Sequence, residues 1–331
     1  MNPAHRYIQY WLWTGLVLIA LMVIIGGITR LTGSGLSMVE WKPVTGVVPP
    51  LDEGDWMVEF EKYKMFPEYQ KLNYNMTVQE FKRIYFWEYL HRLLGRVMGI
   101  IFIVPLIIFI VRKWIGRKLL VSLVVIFVLG MLQGVMGWYM VKSGLSSVPH
   151  VSHFRLAAHQ ALALLLIAAL LWTSLSLTKE RIKPVVDFIF VSSAISLILL
   201  IGQMLLGALV AGLKAGYSYT NFPLMGDTFF PSATVVNAAP LLYNGVVLQF
   251  IHRWLGFALF GSILLSWFQG GRGTWSCRIL SRILLLTALQ IILGILTLWV
   301  HVPVWLGVVH QFIAILLFAS IIIFLHKQLY T

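Results

Sequence analysis

Eight apolar runs alternate along the chain with polar turns, near residues 8–29, 85–111, 119–141, 155–177, 185–212, 246–268, 280–300 and 304–326. Each is longer than the roughly 20 residues that a helix needs to cross a bilayer. Only helices and closed barrels satisfy their own backbone inside hydrocarbon, so the pattern predicts one helix per run. The first run is too long and too well flanked for a cleaved signal peptide, and is expected to remain as a span. One polar interruption is long, segment 30–84. Near its end Thr77-Val78-Gln79-Glu80 has the form of a capping box, so the second helix is expected to start near Thr77, outside the membrane.

Composition agrees with this reading. Hydrophobic residues make up 59% of the chain and charged ones 11%, and the mean hydropathy is +0.86, which excludes an ordinary soluble domain. Thirteen tryptophans and twelve tyrosines suit interfacial belts. The net charge of +13 does not point to nucleic acid, because the basic residues gather in short turns. Arg6, Arg112, Lys113, Arg117, Lys118, Lys179, Arg181, Lys183, Arg272, Arg278, Arg282 and Lys327 all fall on one side, against Lys142 and Lys214 in the short turns opposite. The positive-inside rule then puts both termini in the cytoplasm and segment 30–84 outside. The single cysteine, Cys277, rules out an internal disulfide and a thiolate cluster.

The chain repeats itself. Glu88-Tyr89-Leu90-His91-Arg92-Leu93-Leu94-Gly95 matches Gln249-Phe250-Ile251-His252-Arg253-Trp254-Leu255-Gly256, and His159-Gln160-Ala161-Leu162-Ala163 matches His310-Gln311-Phe312-Ile313-Ala314. The ends of the first and fifth runs, and the Leu132-Gln133-Gly134 and Leu289-Gln290 stretches of the third and seventh, agree. The expected architecture is an all-α integral membrane protein of two pseudo-symmetric four-helix bundles. Residues 1–181 form one half, with the long outer loop, and residues 182–331 the other.

Four histidines, His91, His159, His252 and His310, enter the even-numbered spans near their outer ends. His91 sits about 9 Å into its span at 1.5 Å per residue, so all four are expected at one depth. Imidazole in a bilayer needs a partner, and paired membrane histidines commonly ligate metal or haem iron. Four residues after each histidine stands a small residue, Gly95, Ala163, Gly256 and Ala314, on the same helix face. That clearance suits a flat macrocycle packed close to the helix; small residues also line ordinary membrane helix interfaces. Arg92, Arg96 and Arg253 are placed to answer haem propionates, or to snorkel to lipid headgroups. The halves differ at one position: Glu88 stands where the other half has Gln249, an ionisable carboxylate one turn from a ligand against its neutral isostere. Glu-x-x-His also occurs in di-iron bundles, but the further carboxylates of such a site are missing from the spans. His150 and His153 read as interfacial side chains, and His5 and His301 have no repeat partner.

These residues resemble the haem A synthase family. The resemblance is carried by the Gly-Gly-x-Thr-Arg-Leu-Thr-x-Ser-Gly-Leu-Ser run at 26–37, Trp41-Lys42-Pro43, Glu88-x-x-His91-Arg92-x-x-Gly95-Arg96 and the other three histidines. It covers essentially the whole chain and looks like the proteobacterial and mitochondrial branch, without the outer-loop cysteine pair of other members. It implies oxidation of the C8 methyl of haem o, by successive hydroxylations and loss of water, to the formyl group of haem a for terminal oxidases. His91 and His159 would hold the substrate haem, His252 and His310 a haem b cofactor, with Glu88 as the catalytic carboxylate. The partners implied are haem o, haem O synthase, oxidase assembly factors, an electron acceptor and the lipid bilayer of the bacterial cytoplasmic membrane, with the haem sites toward the outside. Segment 52–71 then reads either as a short amphipathic cover over the first pocket or as a solvated loop. The rival expectations are a bis-histidine cytochrome acting only in electron transfer, and a haem carrier.

Overall fold

A computed structural model describes residues 3–41, 45–146, 148–177, 187–271 and 273–330. Lys42 and Pro43, the basic residues Lys179, Arg181, Lys183 and Arg272, and the expected boundary between residues 181 and 182 lie outside the described residues. The described chain is helical, with no strand beyond an isolated bridge between Met225 and Thr228. Its α-helices are α1 (Pro3–Leu31), α2 (Glu53–Lys64), α3 (Pro67–Lys71), α4 (Val78–Val111), α5 (Arg117–Gly144), α6 (His153–Ser176), α7 (Phe188–Gly212), α8 (Ala233–Val236), α9 (Gly245–Gln269), α10 (Trp275–Trp299) and α11 (Val304–Leu329). Among the described residues eight helices are long and apolar enough to cross a membrane: α1, α4, α5, α6, α7, α9, α10 and α11. The chain is therefore a multi-pass membrane protein. The exposed side chains of Ile100, Val104, Ile107 and Val111 form one apolar stripe along α4 at three- and four-residue spacing, as a lipid-facing surface should.

The ends of the helices have local causes. Thr77 caps α4 in the expected box: its hydroxyl accepts from Glu80 N–H, and the Glu80 carboxylate accepts from Thr77 N–H at 2.8 Å. The helix therefore starts one turn and more before its apolar run. Asp187 caps α7, and Thr274 caps α10 by accepting from Cys277 N–H. That cap starts α10 at Trp275, upstream of the apolar run at 280.

The residues group into two compact units, the first Val17–Leu162 and the second Met1–Leu16 with Ala163–Thr331. The first contains the long outer segment. There α2 and α3 are helical, and with the projecting start of α4 they enclose a small aromatic core of Phe60, Tyr63, Phe81 and Tyr85, joined by Met38. Phe81 is central: its ring lies 5.1 Å from Phe60 and 5.2 Å from Tyr63, centre to centre. The fully buried Tyr63 donates its hydroxyl to Glu68 and accepts from Asn73 Nδ2 at 2.7 Å. Burial, and then the Glu68 carboxylate, push that hydroxyl well above the ordinary phenol range, so it stays protonated and holds α2 against α3. Removing a fully buried Phe costs about 3–5 kcal/mol. Phe81→Ala should therefore release α2 and α3 first, seen as protease cleavage between residues 52 and 77 while the spanning helices stay protected. Uniform loss of protection along the chain would contradict this local core.

In the second unit α7 and α9 meet through small polar residues. Ser196 Oγ lies 2.8 Å from Ser262 Oγ, and Ser266 donates to Ser192 at 2.7 Å. Small hydroxyl residues let two membrane helices approach closely while satisfying one another. At the far end of α11 the buried His326 lies 3.0 Å from Ser176 Oγ and stacks on Tyr330.

Candidate functional site

In the first unit the site begins where α1 stops. Gly33 takes a left-handed conformation (φ +68°), and Ser34 N–H returns to Thr29 O at 2.9 Å, closing the helix end. The chain then passes along α4, whose residues 88, 91, 92 and 95 share one face. Glu88 is buried and is gripped from this passing loop: Ser37 Oγ donates to its Oε2 at 2.7 Å, and Met38 N–H donates to the same oxygen at 2.8 Å. Arg92 NH2 donates to Oε1 at 2.6 Å. The guanidinium also reaches Met38 O at 2.8 Å and Glu40 O at 3.0 Å, and lies over the Trp41 ring. Glu88 and Arg92 thus fasten the loop to α4, and Arg92 meets backbone carbonyls and a carboxylate here.

The second unit has the same frame with reversed polarity. Gln249, equally buried, donates its amide to Tyr219 O at 2.9 Å. Arg253 donates to Tyr219 O at 2.7 Å, Asn221 O at 3.0 Å and Leu224 O at 3.1 Å. One loop offers N–H and O–H donors to a carboxylate; the other offers a carbonyl to an amide. The Glu-to-Gln difference is therefore built into both loops as well as into the helices.

Each key histidine packs against a glycine of the preceding spanning helix. A Cβ built on Gly26 would lie 3.2 Å from His91 Nε2, on Gly137 3.4 Å from His159 Cε1, on Gly207 3.1 Å from His252 Cε1, and on Gly294 3.1 Å from His310 Cε1. The expected small residues sit as follows. Gly95 is open enough that its Cβ would meet only Met22 Cε at 3.4 Å, Gly256 faces Gln203 Nε2 at 3.4 Å, and Ala163 and Ala314 are buried. Arg96 lies one turn beyond Arg92 on α4. His153 opens α6 with its ring against Phe154.

The arrangement fits haem ligation. In the second unit the rings of His252 and His310 stand 6.5 Å apart, centre to centre, at 74°. Imidazole–metal bonds of about 2.0–2.1 Å put the centres of two axial imidazoles on opposite sides of one ion roughly 6–6.5 Å apart. Nδ1 of His252 and of His310 is buried without a hydrogen-bond partner, as is Nδ1 of His159 in the first unit. A buried, unpaired imidazole nitrogen is costly, and a metal bond to the ring would offset that cost. Met22, Ser37, Gln133, Gly137, Gln203, Gly207, Gln290 and Gly294 join the site only through contacts with another helix or loop, which the sequence does not display. Ser37 stood in the quoted 26–37 run, but nothing local shows that it reaches Glu88.

Residues 9–322 match the COX15-CtaA family model, described as cytochrome oxidase assembly protein. A relative from Rickettsia prowazekii named Heme A synthase is 43% identical over 323 residues, covering 96% of this chain and 97% of its own. Relatives of the same name from Flavobacterium psychrophilum and Nitrosospira multiformis are each 40% identical, the first covering 98% of both chains and the second 96% of this chain and 92% of its own. A match over nearly the whole length settles the family: this protein belongs to the COX15-CtaA family of cytochrome oxidase assembly proteins.

Proposed function

We propose that this chain is a haem A synthase, an oxidoreductase that converts the C8 methyl of haem o to the formyl group of haem a. The observation that carries the reading is the buried Glu88, one turn from His91 in one unit, against Gln249 at the matching place in the other. A resident cofactor pocket has no use for the carboxylate; a pocket where charge develops on a substrate does. Residues 1–181 then form the substrate half, with His91 and His159 on the iron of haem o, and residues 182–331 the cofactor half, with His252 and His310 on haem b. The two halves are read as pseudo-symmetric four-helix bundles.

The chemistry withdraws electrons from a carbon atom. In balance, each of two steps consumes one water, releases two protons and passes two electrons to an external acceptor, taking the methyl to the alcohol and then to the geminal diol, which loses water to give the aldehyde. Haem b, when bound, supplies a one-electron relay. The Glu88 carboxylate stabilises positive charge developing at the methyl carbon, or takes the proton that leaves it. Ser37, Met38 N–H and Arg92 fix that carboxylate in place, so no reorganisation is needed as charge appears. Gln133 contacts His159 and Gln290 contacts His310 at 3.3 and 3.2 Å between side-chain nitrogens, which orients the rings. The excess of basic residues in one set of turns supports cytoplasmic termini, with the histidines toward the outer face of a bacterial cytoplasmic membrane. A haem O synthase would supply the substrate, and oxidase assembly factors would receive the product. Arg92, Arg96 and Arg253 are proposed as propionate contacts, and Gly95, Ala163, Gly256 and Ala314 as the small residues beside the macrocycles.

The test is the haem extracted from protein purified from a host that makes haem o. A b-type haem together with haem o or haem a is the expected result. Haem b alone, with abundant haem o left unconverted, would instead mark a plain electron carrier.

A further inference from the structure

Three of the four histidine seats share a second feature. Four residues before the glycine, on the same face of the same helix, stands a glutamine: Gln133 before Gly137 on α5, Gln203 before Gly207 on α7, and Gln290 before Gly294 on α10. In every case the amide reaches the histidine that the glycine seats. Gln133 Nε2 donates to His159 O at 3.1 Å and lies 3.3 Å from its Nε2. Gln203 Nε2 donates to His252 O at 2.8 Å. Gln290 Nε2 lies 3.2 Å from His310 Nε2. Glycine and glutamine one turn apart thus hold a histidine by shape and by hydrogen bond together.

The fourth seat breaks the rule. Four residues before Gly26, on α1, stands Met22. Its position in space is the glutamine's. The Met22 Cε lies 3.4 Å from the Cβ direction of Gly95, as the Gln203 Nε2 lies 3.4 Å from that of Gly256, and these glycines are the repeat partners four residues beyond His91 and His252. A thioether has no N–H to give. His91 is correspondingly set apart in its ring: it turns its Nε2 and Cδ2 edge to Gly26 at 3.2 and 3.5 Å, where the other three turn Cε1 to their glycines. The bland account of Met22 is gap filling, which methionine does well. It does not account for an amide at all three other seats and a thioether at the one beside Glu88.

We propose that Met22 makes His91 the releasable histidine of the four, a positioning residue that acts by what it does not bond. The inference rests on the first unit's being the substrate half, and it says how that half differs from the cofactor half. A substrate has to be admitted and a product discharged, so one of its two ligands must let go, whereas a resident cofactor is best held by two clamped ligands. His159 keeps its glutamine and remains the fixed ligand; His91 is the one that yields.

Carbon monoxide probes this directly, because it binds a ferrous haem iron only where an axial ligand leaves. The experiment uses the full-length protein with its haem, reduced and mixed with carbon monoxide, and follows the spectrum. In the wild type, the haem that extracts as haem o or haem a should bind carbon monoxide and the b-type haem should resist. Met22→Gln, which puts an amide where the other three seats have one, should slow that binding about tenfold, the worth of one ordinary hydrogen bond. Met22→Leu, similar in size and also without an N–H, should keep the wild-type rate, which separates the amide from a change in packing. The reciprocal Gln203→Met should make the b-type haem reactive. Unchanged rates in both Met22→Gln and Gln203→Met, with haem content intact, overturn the inference and leave the proposed function standing. A protein that carries haem b alone, with no carbon monoxide response altered at Met22, overturns both.

Discussion

Glu88→Gln should leave haem bound and cut formyl production by about 10²–10⁴-fold, the range associated with a positioned acid–base group. The replacement keeps the size of the side chain and removes its charge. The surroundings do not suit an amide. Met38 N–H and Ser37 Oγ converge on one carboxylate oxygen and Arg92 on the other, so an amide NH2 faces a donor whichever way it is turned. Leaving one buried donor unmet costs about 1–3 kcal/mol, yet Arg92 retains Met38 O and Glu40 O. The loop therefore stays attached to α4 while the charge beside the substrate is gone. Chromatography of the extracted haems reads both halves of the result. Full conversion by the variant would reduce Glu88 to a fastener between the loop and the helix.

If His252 and His310 hold a haem as proposed, Gly207→Ala and Gly294→Ala should each empty their pocket, lowering its haem affinity by about 10–100-fold, the usual effect of disturbing what orients a metal ligand. The added methyl meets His252 or His310 at 3.1 Å, closer than carbon atoms pack comfortably. The neighbour is a stiff ring, and its residue is already fastened to the glycine's own helix, His252 through its backbone carbonyl to Gln203 and His310 through its ring to Gln290. Metal bonds tolerate only about 0.2 Å of error in position. Gly130 and Gly261 supply the control, because a Cβ at either meets nothing within 4 Å. Alanine there should be neutral or slightly stabilising, since glycine inside a helix costs roughly 0.5–1 kcal/mol relative to alanine. The haem-to-protein ratio of the four purified variants decides it. Equal haem loss in all four would mean that the effect is on the helices and has nothing to do with the histidine seats.

Much of the fold was legible because a bilayer leaves a helix little choice. All eight spans follow from runs of apolar residues, and the start of α4 from a capping box whose chemistry is confined to Thr77 through Glu80. Segment 52–71 reads from sequence as an amphipathic cover or a solvated loop, because its apolar residues are few and mixed with charge. Its helicity depends on a core completed from elsewhere, by Met38, Phe81 and Tyr85. The histidines and the Glu88/Gln249 contrast were visible through internal repetition. Their settings were not. Gln133 and Gly137 stand a turn apart on α5 and gain meaning only when His159 from α6 is laid against them. Met22 looks like any lipid-span methionine until Gln203 is seen at the equivalent place. Side chains whose role is to touch another helix carry no local signature of it.

The composition of the second unit governs how the protein is made. It unites residues Met1–Leu16 with Ala163–Thr331, and Gly15 lies against Leu170 within it. On a ribosome adding about 5–20 residues per second, the start of α1 waits on the order of ten to thirty seconds before the α6 residues it packs on exist. Throughout that interval the Gly15 face of α1 lacks the Leu170 side chain that lies against it in the folded chain. Nascent chains stalled before residue 163 should therefore expose α1 to cross-linking by membrane insertion factors, and chains stalled after α6 has emerged should not.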